Sequence, residues 1–285
     1  MLKTSQKILI ATLLSRIVLG GRKLLGLGAQ TVVTRHGVKW ALDLNEGIDF
    51  SIFLLGAFEP LTQRQFSKFI GSGDIVIDIG ANIGAHTLPL AQMVGKNGRV
   101  VAVEPTEYAA GKLRKSVALN ENLRSQIEIR QRMLVSGVDE EIPGTIYSSW
   151  PLIHATGDLH EEHKGRLMST TGSEKSTLDE LVDELKLDKV NALKLDVDGN
   201  EYSVLKGAER TLSKFHPVIF MEVAPYVFHD EADFDGMIEL LGSHGYQLTH
   251  ISNGKKIPSD PSQIREMVPA GGSINVIAAS THACP

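Results

Sequence analysis

Acidic residues stand at the ends of several short apolar runs in this sequence of 285 residues. Asp78 and Glu222 lie near the ends of two such runs, and Glu104, Asp196 and Asp198 stand at the ends of two more. Apolar runs of this length are typical of strands buried on both faces of a parallel sheet. In an open sheet of that kind, ligands bind beyond the carboxyl ends of the strands. We therefore expect these carboxylates to gather at one edge, where they can accept hydrogen bonds or exchange protons.

A glycine-containing segment, residues 78–84, joins the first of these runs to a predicted helix. Its glycines permit a tight turn and let a ligand approach the backbone, although a plain strand-to-helix turn is the alternative. The dinucleotide fingerprint needs glycine at its first, third and sixth positions, but counting from Gly80 the other two are Asn82 and Ala85. A phosphate-binding Gly-Lys-Ser or Gly-Lys-Thr sequence is also missing from the chain, which disfavours a nucleoside triphosphatase.

Glu104 follows Gly84 by 20 residues and ends the next apolar run. A carboxylate at that place can accept hydrogen bonds from both hydroxyls of a ribose, or it can favour the N-terminus of the following helix. A glycine loop without the pyrophosphate pattern, combined with a ribose-binding acid, favours a nucleoside ligand that lacks phosphates. S-adenosylmethionine fits that description.

The elements that must position these residues alternate between apolar runs and stretches of helical period, which predicts an α/β fold with a doubly wound, mostly parallel sheet. The predicted strands are residues 38–44, 50–55, 75–79, 100–103, 127–129, 192–197, 218–223, 246–251 and 274–278. The predicted helices are residues 60–70, 85–94, 108–119, 178–187, 203–215 and 234–243. Residues 131–175 have weak periodicity, which is where loops that carry specificity are expected.

Several blocks of sequence resemble the FkbM-type methyltransferase family, a branch of the class I S-adenosylmethionine-dependent methyltransferases. They are residues 76–84 with 102–105, 177–179, 193–201 with 204–208, 217–223, and 245–246. The blocks fall in the family's order over roughly residues 38–280, with Asp198 where the family usually has glutamate. The resemblance implies a seven-stranded Rossmann-like sheet whose last strand is antiparallel. It also implies methyl transfer from S-adenosylmethionine, usually to a hydroxyl of a sugar, glycolipid, polysaccharide or secondary metabolite.

The resemblance, together with the strand-end positions, assigns the site residues. The expected cofactor-binding residues are Asp78, Gly80, Ala81, Asn82, Gly84, Glu104, Pro105 and Asp196. The expected catalytic residues are Asp196, Asp198 and His86. Asp196 is the first candidate for the general base, but binding of the cofactor's ammonium group and a structural role stay open. Asp198 and Glu201 either contact the acceptor or favour the N-terminus of the next helix, and His86 either lines the site or is a structural histidine.

No metal site is predicted. His154, His160 and His163, with Glu161 and Glu162, lack the helical spacing of a histidine metal motif. These residues are interpreted as a solvated loop or, with Tyr147 and Trp150, as part of an acceptor pocket. Two competing functions stay open: a noncatalytic or membrane-associated binding module, and a nicotinamide-dependent oxidoreductase that the failed glycine pattern disfavours.

The composition is that of an ordinary soluble globular protein, and a net charge of −5 argues against a nucleic-acid partner. Cys284 is the single cysteine, which excludes an internal disulfide and favours a reducing compartment, so the protein is predicted to be cytoplasmic. The expected partner is a hydroxyl-bearing small molecule or glycan, while the oligomeric state is left open. The chain is divided into a basic helix at 1–30, a hairpin and helix extension at 31–70, and the methyltransferase domain at 71–285.

The positive charge is concentrated before Asp43, where seven basic residues and no acidic residue occur. The apolar stretch within this region is shorter than the roughly 20 residues that span a membrane, and it is interrupted by Arg16. At helical period Leu9, Leu13, Ile17 and Leu24 share a face. Three interpretations stay open: an amphipathic helix on the inner membrane surface, a helix that docks on the domain or covers a pocket, and a targeting segment.

Overall fold

The computed structural model describes residues 4–137, 139–152, 165–228, 230–269 and 271–281, with side chains described from residue 9 onward. In chain order the strands are β1 (Gln30–Arg35), β2 (Val38–Asp43), β3 (Ile75–Ile79), β4 (Arg99–Val103), β5 (Ile127–Arg130), β6 (Arg132–Leu134), β7 (Thr145–Ser149), β8 (Arg166–Ser169), β9 (Glu174–Ser176), β10 (Ala192–Leu195), β11 (Val218–Val223), β12 (Tyr246–His250) and β13 (Ile274–Ser280). The helices are α1 (Thr4–Leu24), α2 (Gly47–Leu55), α3 (Pro60–Phe69), α4 (Thr87–Val94), α5 (Glu107–Ala118), α6 (Glu121–Arg124), α7 (Leu178–Glu184), α8 (Glu201–Lys206), α9 (Glu209–Phe215), α10 (Glu231–Ser243) and α11 (Pro261–Met267).

The central sheet of the described residues has seven strands in the order β12-β13-β11-β10-β3-β4-β5. The last strand of the chain, β13, runs antiparallel to both of its neighbours, whereas β5, β4, β3, β10 and β11 pair in parallel. The α/β class, the doubly wound arrangement and the antiparallel last strand are therefore confirmed. The chain runs outward from β3 to β5 and then returns to the other side of β3 as β10. This reversal between β3 and β10 is the point at which an open sheet binds its ligands.

The two faces of the sheet are covered by separate apolar clusters, which explains why its central strands are apolar on both sides. One cluster packs the sheet against α7, α8, α9 and α10. The other packs it against α3, α4 and α5 and includes the buried side chains of β2 and α2. The N-terminal extension thus shares a core with the main domain.

The prediction of a strand at residues 50–55 is wrong, because this segment forms α2. Aromatic and β-branched residues suggested a strand, but the helix-ending signal lies just beyond them. Gly56 is left-handed, with φ 84°, and its N–H donates to Ile52 O at 3.0 Å. The hairpin of the extension is instead built from β1 and β2, which pair from Gln30↔Asp43 to Arg35↔Val38.

The helix predicted over residues 203–215 is two helices, α8 and α9, separated at Gly207. A Cβ at Gly207 would lie 2.2 Å from Val135 O, so the backbone after β6 passes too close for a larger residue. Residues 131–175, predicted to be loops, contain β6 to β9. Among them β7 and β8 pair as an antiparallel hairpin.

Helix α1 docks on the domain through the face that carries Ser15, Val18 and Leu19. The Ser15 hydroxyl is buried and donates to Leu44 O at 3.1 Å, while Val18 and Leu19 pack partly buried against the second cluster. The face that carries Leu9, Leu13 and Ile17 is exposed instead. Within the described residues, no helix has the length and apolar character required to cross a bilayer.

Candidate active site

A cavity of about 1000 Å³ opens at the carboxyl ends of β3, β4 and β10. Its floor is formed by the loops after these strands, and its walls come from α1, α2 and the β7–β8 hairpin. The predicted site residues that line it are Gly80, Ala81, Asn82, His86, Glu104, Pro105, Asp196 and Asp198. Asp78 and Gly84 do not line the cavity but lie behind its floor. The strand-end argument therefore brings most of the predicted residues to one site.

The glycines of the floor loop are needed because protein atoms crowd them. Gly80 has φ 75°, and a Cβ there would lie 1.9 Å from the backbone oxygen of Asp196. At Gly84, with φ 87°, a Cβ would lie 2.3 Å from Leu113 Cδ1 on α5. These positions let β10 and α5 approach the loop closely, and the shape of the cavity floor depends on that approach.

Asn82 occupies the place where the dinucleotide fingerprint has glycine. It is left-handed, with φ 48°, a conformation that asparagine tolerates better than most residues. Its side-chain oxygen accepts from Ile83 N at 2.9 Å, and its own N–H donates to Glu104 Oε2 at 3.0 Å. The loop is thereby tied to the end of β4.

Glu104 is almost completely buried at the end of β4. Its Oε1 accepts from Thr106 N at 3.0 Å, from Thr106 Oγ1 at 2.6 Å and from Ser148 Oγ at 3.1 Å. Burial nevertheless raises the pKa of Glu104 above its ordinary value, against the effect of these donors. The Oε2 atom receives the single Asn82 donor among the described residues, so it keeps capacity to accept from a ligand hydroxyl.

A buried lysine that the sequence analysis did not single out lies beneath the cavity floor. Lys194 Nζ is 3.1 Å from Asp196 Oδ2, 4.0 Å from Asp78 Oδ1 and 3.4 Å from Gly80 O. Burial works against its charge, but the two aspartates outweigh it and raise the pKa of Lys194. Period-two alternation along β10 places Lys194 and Asp196 on the same side, and this alternation is the signal that could have found the pair.

Asp78 supports the site from behind. Its Oδ2 accepts from Thr87 Oγ1 at 2.6 Å, which fixes the first turn of α4. Register pairs Asp78 with Lys194 across β3 and β10, so the acid holds the lysine in place. Its predicted direct contact with the cofactor stays a prediction.

A group of carboxylates faces the cavity beside Lys194. Oxygens of Asp196, Asp198 and Glu222 all lie within 4.8 Å of one another. Burial and the neighbouring negative charges raise the pKa of Asp198 and of Glu222 to about 8. Asp198 faces the cavity and is exposed there. The surrounding walls nevertheless exclude enough water that desolvation is the largest cause of the rise in its pKa. Oxygen atoms at this spacing suit either shared protons or a cation, and the prediction of no metal stays a prediction.

Glu201, the other acid of this segment, shapes the loop from inside. Its Oε1 accepts from Val197 N at 3.1 Å and its Oε2 from Gly199 N at 3.0 Å. Its side chain is buried, and burial raises the pKa of Glu201 to about 7. Of the two roles considered for Glu201, the structure places it at the N-terminus of α8, away from the cavity lining. It holds Asp198 in a left-handed conformation with φ 50°.

His86 is buried at the start of α4, between the rings of Phe58 and Phe66 at centroid distances of 5.9 and 5.5 Å. Its Nε2 lies 3.5 Å from Glu59 Oε2. Burial would raise the pKa of Glu59, but the hydrogen bond and charge of His86 lower it to about 2. His86 thus contacts Glu59 and also lines the cavity, so both roles considered for it stay predictions.

The opposite wall joins the N-terminal extension to the β7–β8 hairpin through Glu46. Its Oε2 accepts from Ser149 Oγ at 2.8 Å and from Trp150 N at 3.1 Å, while Oε1 is 3.3 Å from Arg166 Nη2. Tyr147 and Trp150 line the cavity, as the acceptor-pocket interpretation required. His154, His160, Glu161, Glu162 and His163 lie outside the described residues.

Comparison with protein families identifies the family to which this fold belongs. The methyltransferase FkbM domain matches residues 78–248, more than half of the chain. This chain belongs to the FkbM methyltransferase family. The matched range includes the floor loops of the site, from Asp78 to Asp198. Members of this family are S-adenosylmethionine-dependent methyltransferases.

Individual relatives are distant. The AMB antimetabolite synthetase AmbE of Pseudomonas aeruginosa is 27% identical across 61% of this chain, which spans 10% of that protein. The probable cobalt-precorrin-6B C(15)-methyltransferase (decarboxylating) of Saccharolobus solfataricus is 26% identical. The matched region covers 40% of this chain and 67% of the length of that protein. The crystal structure of a methyltransferase FkbM from Methylobacillus flagellatus KT is 19% identical, with a TM-score of 0.47 over 79% of this chain and 49% of that one.

The described residues fit the cofactor of the family. Glu104 Oε2 borders the cavity with acceptor capacity for a ribose hydroxyl. Beside the floor loop, the Asp196 carboxylate lines the cavity and suits a sulfonium or an ammonium group, and oxygens of Asp198 and Glu222 lie within 4.8 Å of it. S-adenosylmethionine carries both of these cations.

Proposed function

We propose that this FkbM methyltransferase methylates a hydroxyl oxygen of a sugar, glycolipid, polysaccharide or secondary metabolite. The observation that carries this proposal is Asp198, a carboxyl group that faces the cavity and has a pKa of about 8. An alcohol is a poor nucleophile until it loses its proton, and a base with a pKa near the working pH removes it most effectively. When bound, S-adenosylmethionine supplies the methyl group as a sulfonium.

Asp198 and Asp196 receive different roles because their surroundings differ. Asp196 is held by Lys194 at 3.1 Å, so its negative charge is fixed in place and suits the ammonium group of the cofactor. Asp198 has no basic group at ion-pair distance among the described residues, and its carboxylate is free to take the acceptor's proton. This assignment moves the role of base from Asp196, the first candidate from the sequence, to Asp198.

The chain's own residues position the reaction. The hydroxyl oxygen forms the new bond to the methyl carbon, the carbon–sulfur bond breaks with its electron pair left on sulfur, and the proton passes to Asp198 Oδ. Holding the reacting atoms in line at near-attack distance supplies much of the rate enhancement. Tyr147 and Trp150 offer aromatic faces on the acceptor side, which suit the apolar face of a sugar ring.

Calorimetric titration with S-adenosylmethionine, S-adenosylhomocysteine and NAD tests the cofactor half of this proposal. We expect micromolar binding of the first two, which corresponds to roughly −8 kcal/mol, and no binding of NAD. Glu104→Ala should abolish binding, whereas Glu107→Ala, an exposed acid in the next helix, should leave it unchanged. Absence of binding by the folded wild-type protein would overturn the proposal.

Chemical analysis of the product tests the methylated atom. A radioactive methyl group is transferred from S-adenosylmethionine to a panel of glycans and glycolipids. We expect the labelled product to be stable in mild alkali, whereas a methyl ester would be hydrolysed. Hydriodic acid should then release it as methyl iodide, which is diagnostic of an ether. A label that resists hydriodic acid would show methylation at carbon or nitrogen and would contradict the proposal.

A further inference from the structure

The cavity continues past the carboxylates into an apolar mouth. Ile10 and Leu14 of α1 and Ile48, Leu54 and Leu55 of α2 all line it, and we call these five side chains the portal. Four of them are also exposed: Ile10 by 47%, Leu14 by 37%, Leu54 by 45% and Leu55 by 64%. Side chains that both line a cavity and face solvent form its rim. The cavity is therefore open to solvent between α1 and α2, across apolar surface.

The outward face of α1 extends this apolar surface beyond the portal. Leu9, Leu13, Ile17 and Leu24 are 70%, 61%, 63% and 90% exposed. The fold does not use them, because α1 is anchored from its other side by Ser15 and by Val18 and Leu19. A contiguous apolar surface of this kind on a folded domain marks an interaction site.

The charge next to this face identifies its partner. Arg16 and Lys23 are exposed on α1 beside this face, and no acidic residue precedes Asp43. The remainder of the chain carries 22 basic and 34 acidic residues, so the positive charge of this segment stands against a negative body. A helix that combines exposed leucines with arginine and lysine matches an anionic lipid surface in both its apolar and its charged character.

We propose that the outer face of α1 docks on an anionic bilayer and that the portal opens toward it, so that the acceptor is a hydroxyl-bearing lipid. The lipid chain lies along the portal while its hydroxyl reaches the carboxylates beside the floor loop. A cavity of about 1000 Å³ is at the upper end of the size of small-molecule sites, which leaves room for an acceptor beside a cofactor. The choice of a lipid acceptor rests on the proposed function, whereas the docking does not.

Flotation of the full chain with vesicles tests the docking. We expect the protein to float with vesicles of three parts phosphatidylcholine to one part phosphatidylglycerol, and at least fivefold less with phosphatidylcholine alone. Raising the salt from about 0.1 M to about 0.5 M should release it, because the charged attraction is screened. A wild-type protein that does not float with the anionic vesicles overturns the proposal.

Two double variants locate the contact. Leu13→Ser with Ile17→Ser, and Arg16→Glu with Lys23→Glu, should each reduce the floating fraction at least fivefold. The matched controls are Met267→Ser, an exposed apolar residue of α11, and Lys255→Glu with Lys256→Glu, which make the same change in net charge far along the chain. All of these side chains are exposed, so thermal melting should be unchanged. Unaltered flotation of both α1 variants would show that another surface binds the vesicles, and would overturn the proposal. A wild-type dimer that the leucine variant dissociates would make this face a protein interface instead, which also overturns it.

Alkyl glucosides below their micelle concentrations test the portal separately. In the presence of S-adenosylhomocysteine, we expect affinity to rise roughly three- to fourfold for each methylene added between butyl, hexyl and octyl glucoside. Leu14→Asn with Leu55→Asn should flatten this dependence, whereas Met267→Asn should not. An affinity independent of chain length in the wild type overturns the portal.

The outcomes separate this inference from the proposed function. A protein that binds S-adenosylmethionine but neither floats nor favours longer chains keeps methyl transfer and loses the lipid acceptor. A protein that floats but binds no S-adenosylmethionine keeps the docking face and loses the proposed function.

Discussion

The two halves of the cavity are built differently. On the cofactor side, buried groups of the chain bond to one another: Glu104 holds Thr106 and the floor loop, and Lys194 is fixed between Asp78 and Asp196. On the side where we propose that the acceptor binds, the walls are apolar side chains of α1 and α2 and a hairpin that Glu46 joins to the N-terminal extension. The cofactor side is thus held by its own hydrogen bonds and ion pairs, while the other side is assembled from the N-terminal extension and a connecting segment. The residues of the cofactor side all lie within the range that the family domain matches, residues 78–248, whereas α1 and α2 lie outside it.

The largest expected effect is a loss of stability caused by a substitution in the floor loop, on the cofactor side of the cavity. In Gly80→Ala, the new Cβ would lie 1.9 Å from the backbone oxygen of Asp196, which is far closer than van der Waals contact. The φ of 75° at this position is also unfavourable for alanine. We expect a loss of at least about 3 kcal/mol in the free energy of unfolding, measured by chemical denaturation. The matched control is Gly144→Ala, where nothing lies within 4 Å of the new Cβ and φ is not positive, so stability should stay within about 1 kcal/mol. Equal stability of the two variants would show that β10 does not press on the loop.

The next effect separates catalysis from binding within the acid group. Asp198→Asn keeps the shape of a residue with φ 50°, which asparagine accepts, but removes the base. We expect kcat to fall by about 10²–10⁴-fold while the Kd for S-adenosylhomocysteine changes less than about tenfold. Asp196→Asn should instead raise the Kd, because it removes the partner that Lys194 holds for the ammonium group. If Asp196→Asn lowers kcat more than Asp198→Asn does at saturating cofactor, Asp196 is the base after all.

The sequence predicts some of these features of the cavity and not others. The strand-end acids and the glycine loop lie within central strands whose apolar runs fix both their burial and their direction, so their convergence at one edge was predictable. The segment 50–55 was not, because its isoleucine, phenylalanine and leucine residues suit a strand or a buried helix equally well. Gly56 was the local signal that decides between them. Lys194 was missed because a buried lysine becomes interpretable only when Asp78 is known to pair with it across the sheet.

The residues around α1 show the same limit. Periodicity identified one apolar face, Leu9, Leu13 and Ile17, and the natural expectation is that such a face packs inward. Ser15 is buried instead, because its hydroxyl donates to the carbonyl of Leu44, and Val18 and Leu19 pack beside it. Which face of a helix docks depends on a partner surface that the local pattern does not contain.

A smaller effect concerns the dependence of stability on pH. The folded state holds protons on Asp198 and Glu222 up to a pH of about 8, whereas an unfolded chain releases them near pH 4. The folded state therefore binds more protons between these values, so stability is greatest at the acid end of this window and falls as pH rises toward 8. We expect the melting temperature to decline from pH 5 to pH 8.5, and to decline less in Asp198→Asn with Glu222→Gln. An identical decline in this variant would place the responsible groups elsewhere.

The smallest expected effect is on acceptor binding at the wall that contains Glu46, with no change on the cofactor side of the cavity. Glu46→Gln removes the charge that faces Arg166 at 3.3 Å but keeps a side chain of the same size that can still accept from Ser149. Because Arg166 is partly exposed and glutamine keeps an acceptor for Ser149 and Trp150, we expect the free energy of unfolding to fall by about 1 kcal/mol at most. A displaced hairpin should raise the KM for the acceptor by about threefold, roughly the effect of 0.7 kcal/mol, and leave the Kd for S-adenosylhomocysteine unaltered. Glu128→Gln, which removes an acid from β5 at the sheet edge, is the matched control and should change neither constant. A change in cofactor affinity in Glu46→Gln alone would show that the two halves are coupled, and the acceptor wall would then have to be treated as part of the cofactor site.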